Sequence, residues 1–318
     1  MHMNLGTGSH RIASGLRRLF VLGAASALLA LSLSACGGSD DDIDRGPTTI
    51  SLNAKLNGVY WDPDESRLYV TDDSANNIRS WDGDKNFPVF APLPPAPTSG
   101  ATLGQLTRTT DGTFYTTRFG FGTDGAVIAV TKDGKAVNLS GTDALRRRIG
   151  ITTTPDGGLI DGWFIKGASG AVSELSVSGD KAVEREIITG LGKPVGLAVA
   201  GDQLFVNDQN TGSILSYSLS QVRKQPATLA QGKLLATFTT LDGIDLMTAA
   251  PDGSLFFGGS GGRLFRIDAK GETSVLASGW PKMMGVAYDA ANRRLFVAVA
   301  AAAADAGSQA SVRILPVN

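Results

Sequence analysis

One pattern recurs along this chain and settles most of what it can fold into. Residues 56–83, LNGVYWDPDESRLYVTDDSANNIRSWDG, hold an apolar stretch, an Asp-Pro-Asp turn, the segment 67–71, a polar turn and the segment 78–81. β-Branched and aromatic residues bounded by Asp, Asn, Pro and Gly mark short strands joined by tight turns. Three such strands cannot bury both faces alone. Copies follow: after Asp64 the equivalent turn aspartates are Asp111, Asp156, Asp202 and Asp252, at steps of 47, 45, 46 and 50 residues. A sixth unit runs from Met284 through Leu295-Phe-Val-Ala to the segment 311–315. Self-similarity at this period means a solenoid, propeller or array, and four short strands in about 45 residues make one propeller blade.

The fourth strand of each unit is expected just ahead of the next, at 88–93, 135–139, 185–188, 233–239 and 273–277. The sixth unit has only three strands before Asn318. The segment 48–54, TTISLNA, reads as a strand with no blade of its own. It is expected to complete blade six, so that no radial edge stays open. The fold expected for residues 48–318 is therefore all-β, a six-bladed β-propeller closed by an N-terminal outer strand. A content of 40 Gly and 19% charged residues, with no long helix-period segment beyond the N-terminus, agrees. The alanine run 300–304 with Asp305 reads as an insert between strands of blade six.

Residues 1–35 read as a signal peptide: Arg11, Arg17 and Arg18 precede an apolar run at 19–30, and small residues follow. The run is too short and interrupted for a spanning helix, which takes roughly 20 apolar residues. Its end, Leu33-Ser34-Ala35-Cys36, resembles the bacterial lipobox, which makes Cys36 the expected lipidation site and its acyl chains (palmitate among them) the membrane attachment. Residues 36–47 begin Cys-Gly-Gly-Ser-Asp-Asp-Asp and read as a flexible acidic tether. Gly37 follows the cysteine where an Asp favours inner-membrane retention, so the expectation is a lipoprotein of the outer membrane facing the periplasm.

Cleavage narrows the chemistry. Both histidines, His2 and His10, lie in the signal, and Cys36 is the one cysteine of the chain. The mature chain thus has no Ser-His-Asp or Cys-His catalysis, no His- or thiolate-bound zinc and no internal disulfide. Losing three Arg and no acids moves the net charge from −1 to −4, which argues against nucleic acid as a partner. Carboxylates, amides, hydroxyls, Lys, Arg or a hard cation such as Ca²⁺ remain. The segment 120–125 contains Gly-x-Gly but opens no helix and is no phosphate loop.

Three segments carry a family resemblance: Gly58-Val-Tyr-Trp-Asp-Pro with Arg67-Leu-Tyr-Val-Thr-Asp72, Pro194-Val-Gly-Leu-Ala-Val199, and Gly261-Gly-Arg-Leu-Phe-Arg-Ile-Asp268. The chain resembles the SMP-30/gluconolactonase/LRE-like (NHL-type) six-bladed propellers over nearly all of 48–318. That resemblance implies a divalent cation at the top of the channel, held by a Glu, an Asn and an Asp at the starts of three inner strands. By spacing those positions here are Asn57, Val195 and Asp245, so only the Asp is kept. The family's substrate-facing Arg and Asn of blade three fall at Arg147 and Ile149.

The candidate channel-mouth contacts are thus Asn57, Arg147 and Asp245, with Asp245 and Asn57 as the metal ligands if a metal is bound. Arg147 lies in the run Arg146-Arg147-Arg148, which reads either as a solvated loop or as an anion-contacting lip. Asp72, Asp161, Asn207 and Asp208 end second strands near the same mouth. The four tryptophans are expected to pack between blades. The altered cation positions favour a ligand- or protein-binding module without a cofactor. The alternative is a divergent metal-dependent lactonase, and a third reading is an envelope scaffold with a protein partner.

Overall fold

The computed structural model describes residues 48–317 apart from 99 and 306. The expected signal peptide at 1–35, lipidation site Cys36 and tether at 36–47 lie outside the described residues.

The six repeats form six antiparallel sheets, and the chain is a six-bladed β-propeller. The inner strands are Leu56–Asp62, Thr102–Arg108, Arg147–Thr153, Pro194–Ala200, Ile244–Ala249 and Met283–Asp289. The outer strands of blades one to five are Val89–Pro92, Ala136–Asn138, Lys181–Leu191, Lys233–Thr237 and Thr273–Ala277. In blade six the outer place belongs to Thr48–Leu52, which pairs antiparallel with Ala310–Pro316, Thr48 opposite Ile314 and Leu52 opposite Ala310. The expected closure is what the chain makes.

The turn after each inner strand shows why its sequence repeats. In blade two Asp111 Oδ1 accepts from Thr109 Oγ1 at 2.7 Å and from Thr113 N at 3.0 Å, while Gly112 takes a φ of +89°, a region that suits Gly. Each blade then packs on the next through apolar side chains. Six buried clusters occupy the six interfaces; the one between blades six and one holds Val59, Leu68, Phe296 and Val312. There Trp61 stacks on Phe296 with centroids 5.0 Å apart.

The inner strands approach so closely that most carry a glycine at the bulge near their start. A Cβ on Gly58 would lie 2.3 Å from the Gly104 carbonyl oxygen, and one on Gly285 would lie 2.5 Å from that of Asn57. Blade five has Leu246 at this place.

An element outside the repeat pattern fills the long 202-to-252 step. Leu219–Lys224 forms a short helix whose N-cap Ser218 accepts from Gln221 N, with Leu219 and Val222 buried between blades three and four. Ala227–Thr228 then pairs in parallel with the outer strand of blade three, making that blade five-stranded. The Ser cap, the i,i+3 apolar pair and the basic last turn were its signal in the sequence. The alanine run lies in the loop between Arg294–Val299 and Ala310–Pro316, as expected for an insert.

Candidate functional site

Gln105 divides the central channel in two. It projects from the blade-two inner strand, and its Nε2 donates to the Leu197 and Met247 carbonyls, each at 2.9 Å. Its Oε1 accepts from Ile151 N at 3.3 Å and Leu197 N at 3.4 Å. One amide thus ties blade two to blades three, four and five. Below it a cavity of about 170 Å³ is lined by all six inner strands, including Tyr60, Thr107, Thr153, Thr248 and Tyr288, with no charged side chain in its wall. Thr107 and Thr153 hydroxyls meet there at 3.2 Å.

Above it stand the residues the sequence picked out. Asn57, Arg147 and Asp245 all lie where inner strands begin, on three different blades. Asn57 is buried; its Nδ2 donates to the Leu103 carbonyl and its Oδ1 has no hydrogen-bond partner. Asp245 lies in a cleft of about 360 Å³ with Gln209, Thr239, Ser260 and Lys282. Its Oδ2 is 4.0 Å from Lys282 Nζ. Burial pushes its carboxyl above the usual carboxylate range, and the ammonium groups of Lys282 and Lys193 draw it back only in part. Arg147 lies over the Phe119 and Phe121 rings, 5.4 and 5.1 Å from their centroids. It makes no salt bridge among the described residues.

Its two neighbours turn away from the mouth. Arg146 stacks over Trp163 at 3.6 Å and bridges to Glu186 at 2.8 Å. Arg148 is fully buried and holds Asp161 and Glu184. The arginine run is therefore neither a plain solvated loop nor a three-residue lip: Arg147 lies over Phe119 and Phe121, and its two neighbours brace the blade.

The sequence reading missed two lysines. Two residues before each channel-top position stand Lys55, Ala101, Arg147, Lys193, Gly243 and Lys282. This lead-in residue is cationic in four of six blades, a signal visible once the repeats are superposed. Lys193 donates to Gln209 Oε1 at 2.6 Å and lies 5.6 Å from the Phe164 centroid. Burial pushes its ammonium below the ordinary lysine range; Asp245 opposes this, and Lys282 and Arg147 add to it.

Asp72 and Asp208 end second strands and hold lead-in residues, and Asn207 holds the Asp245 backbone; Asp161, expected at a strand end, lies inside Leu159–Phe164 and pairs with Arg148. Asp72 Oδ1 accepts from Lys55 N at 3.0 Å, and Asp208 Oδ1 accepts from Lys193 N at 2.7 Å. Asn207 Nδ2 donates to the Asp245 carbonyl at 2.7 Å. Asp73 accepts from Leu103 N at 2.7 Å, and burial pushes its carboxyl up to about 6.

These residues do not fit the divalent cation that the resemblance implies. Val195 is fully buried and apolar, Asn57 spends its amide on Leu103, and Asp245 faces two lysines. A hard cation takes 6–8 oxygens with carboxylates among them. Among the described residues no group of three or more His, Cys, Asp or Glu is placed to hold a metal.

The fold places the chain among six-bladed β-propellers. No protein-family model matches the chain, and no curated protein sequence matches it. Solved structures do. A luciferin-regenerating enzyme superposes with a TM-score of 0.64 at 16% identity, over 86% of this chain and 96% of that one. A gluconolactonase from Xanthomonas campestris gives 0.63 at 16%, over 85% and 89%. A calcium-binding regucalcin from Agrobacterium tumefaciens gives 0.63 at 13%, over 86% and 95%. The six-bladed fold of the SMP-30/gluconolactonase group is the fold of this chain.

Proposed function

We propose that this protein is a binding propeller whose ligand enters the upper channel, over Asn57, Arg147 and Asp245, and that it is not a metal-dependent hydrolase. The observation that carries this reading is the lysine-flanked Asp245: the one carboxylate facing this mouth from the metal positions already has cationic company. The proposal extends to a lipid anchor on Cys36 and a place in the cell envelope, with the propeller reaching into the periplasm. Among the described residues no helix is long and apolar enough to cross a membrane. Labelling cells with a palmitate analogue should mark the wild-type chain and leave Cys36→Ala unmarked.

The second reading is a lactonase-like hydrolase. The gluconolactonase similarity and the unpartnered, buried Asn57 Oδ1 favour it. In it Asp245 and Asn57 would hold Ca²⁺ or another divalent ion, which would polarise a lactone carbonyl, and Arg147 would contact the substrate. The two readings part in one assay. Purified protein is incubated with sugar and acyl lactones, with Ca²⁺, Zn²⁺ or Mn²⁺ and with chelator. Binding alone predicts no cation-dependent turnover. Turnover that needs the cation and disappears in Asp245→Ala would replace the first reading by the second.

A further inference from the structure

The geometry points to an aromatic carboxylate as the ligand of the upper channel, its anionic end among Arg147, Lys193 and Lys282 and its ring against Phe119 and Phe121. This inference rests on the binding reading given above. Three cations from blades three, four and six meet one carboxylate, Asp245: Lys282 Nζ lies 4.0 Å from its Oδ2, Lys193 donates to Gln209, which lines the same cleft as Asp245 and Lys282, and Arg147 and Lys193 lie over Phe119 and Phe164, whose centroids are 5.9 Å apart. Arg147 has no carboxylate partner among the described residues, and Lys282 is 47% exposed, so both remain available to an entering anion. A neutral sugar or lactone would leave that excess charge uncompensated. A divalent cation would be repelled.

The aromatic part follows from a second observation. Phe119, Phe121 and Phe164 form one cluster, with centroid separations of 5.2 Å for Phe119 to Phe121 and 5.9 Å for Phe119 to Phe164. Arg147 lies over the first two rings and Lys193 near the third. Phe121 is 45% exposed, a large apolar side chain beside the cations. An inorganic anion would use the charges and leave this shelf idle. A planar ring carrying a carboxylate uses both, since aromatic pairs favour offset or edge contact and a carboxylate takes charge-assisted hydrogen bonds from Arg and Lys.

The test is calorimetric titration of the purified full chain with phenylacetate, its neutral isostere phenylacetamide, acetate and inorganic phosphate. Phenylacetate should bind about tenfold or more tightly than each of the others, the scale of one charge-assisted contact or one buried ring. Arg147→Gln and Lys282→Gln should each weaken phenylacetate about fivefold to tenfold, and Phe121→Ala about threefold. All three side chains are partly exposed, and thermal melts of the variants serve as the folding control. Equal binding of phenylacetate and phenylacetamide, no phenylacetate binding by wild type, or a phosphate affinity as high as that for phenylacetate would overturn the inference. None of these outcomes touches the lactone assay, so the ligand class can fall while the binding reading stands, and cation-dependent turnover would overturn that reading by itself.

Discussion

The two halves of the channel are built from the same six strands and differ almost completely in chemistry. Above Gln105 the wall carries Arg147, Lys193, Lys282 and Asp245; below it the wall is hydroxyl, aromatic and aliphatic. The lower ends of the inner strands run into turns whose Asp and Gly are fixed by local geometry, so the repeats agree there. The upper ends are entered from the preceding blade, and no turn dictates their side chains. Beyond the bulge glycine the side chains of the repeats diverge there, and the upper end is the site we propose. Within one repeat protein, divergence between copies is a guide to where a ligand acts.

The comparison can be broken most severely at its support. Asp161→Ala leaves the buried Arg148 without one of its two carboxylate partners beneath the Arg147 rim, and should cost about 3–5 kcal/mol in denaturant unfolding. Arg148→Met with Asp161→Leu together should recover much of that loss, because the uncompensated charge is gone. Gln105→Ala removes the partition itself. Four hydrogen bonds across the axis disappear, and urea unfolding should show a loss of about 2–4 kcal/mol.

A pH experiment sharpens the contrast. Asp73 has a folded pKa of about 6, above the ordinary carboxylate value, so the folded chain binds its proton more tightly than the unfolded one. Its contribution to stability is therefore fully favourable below the unfolded pKa and is lost as pH rises through about 6. Asp73→Asn should flatten this slope, with a difference from wild type of roughly 1–3 kcal/mol between the acid and neutral limits. The smallest effect belongs to the lower half. Thr107→Val loses one hydroxyl contact with Thr153, should cost about 0.5–1 kcal/mol, and should leave phenylacetate binding at the upper mouth unchanged.

How much of this was legible in the sequence follows the same division. Period, turn chemistry and the orphan segment at 48–54 gave six blades and their closure, because each is a local signal repeated many times. Asn57, Arg147 and Asp245 were located as the positions that the family resemblance implies, carried over by their spacing to the turns. What the run Arg146-Arg147-Arg148 does could not be read locally: Arg148 is decided by Asp161 and Glu184, and Arg146 by Trp163 and Glu186. Lys193 and Lys282 looked like ordinary loop lysines until superposing the blades put them at one mouth. Gln105 gave no signal, since its importance comes from carbonyls two and three blades away.

The strand that closes the ring has a consequence for how the molecule comes to exist. Thr48–Leu52 is the first strand of the propeller to be synthesised and pairs with Ala310–Pro316, the last. Until that last strand is made, five blades can collapse while Thr48–Leu52 remains unpartnered. Pairings of such high contact order are slow, on the order of milliseconds to seconds, and open strand edges recruit other chains in the interval. Closure is thus the step expected to be slowest and most exposed to aggregation, and weakening this one strand pair should lower the yield of native protein far more than it loosens the finished ring.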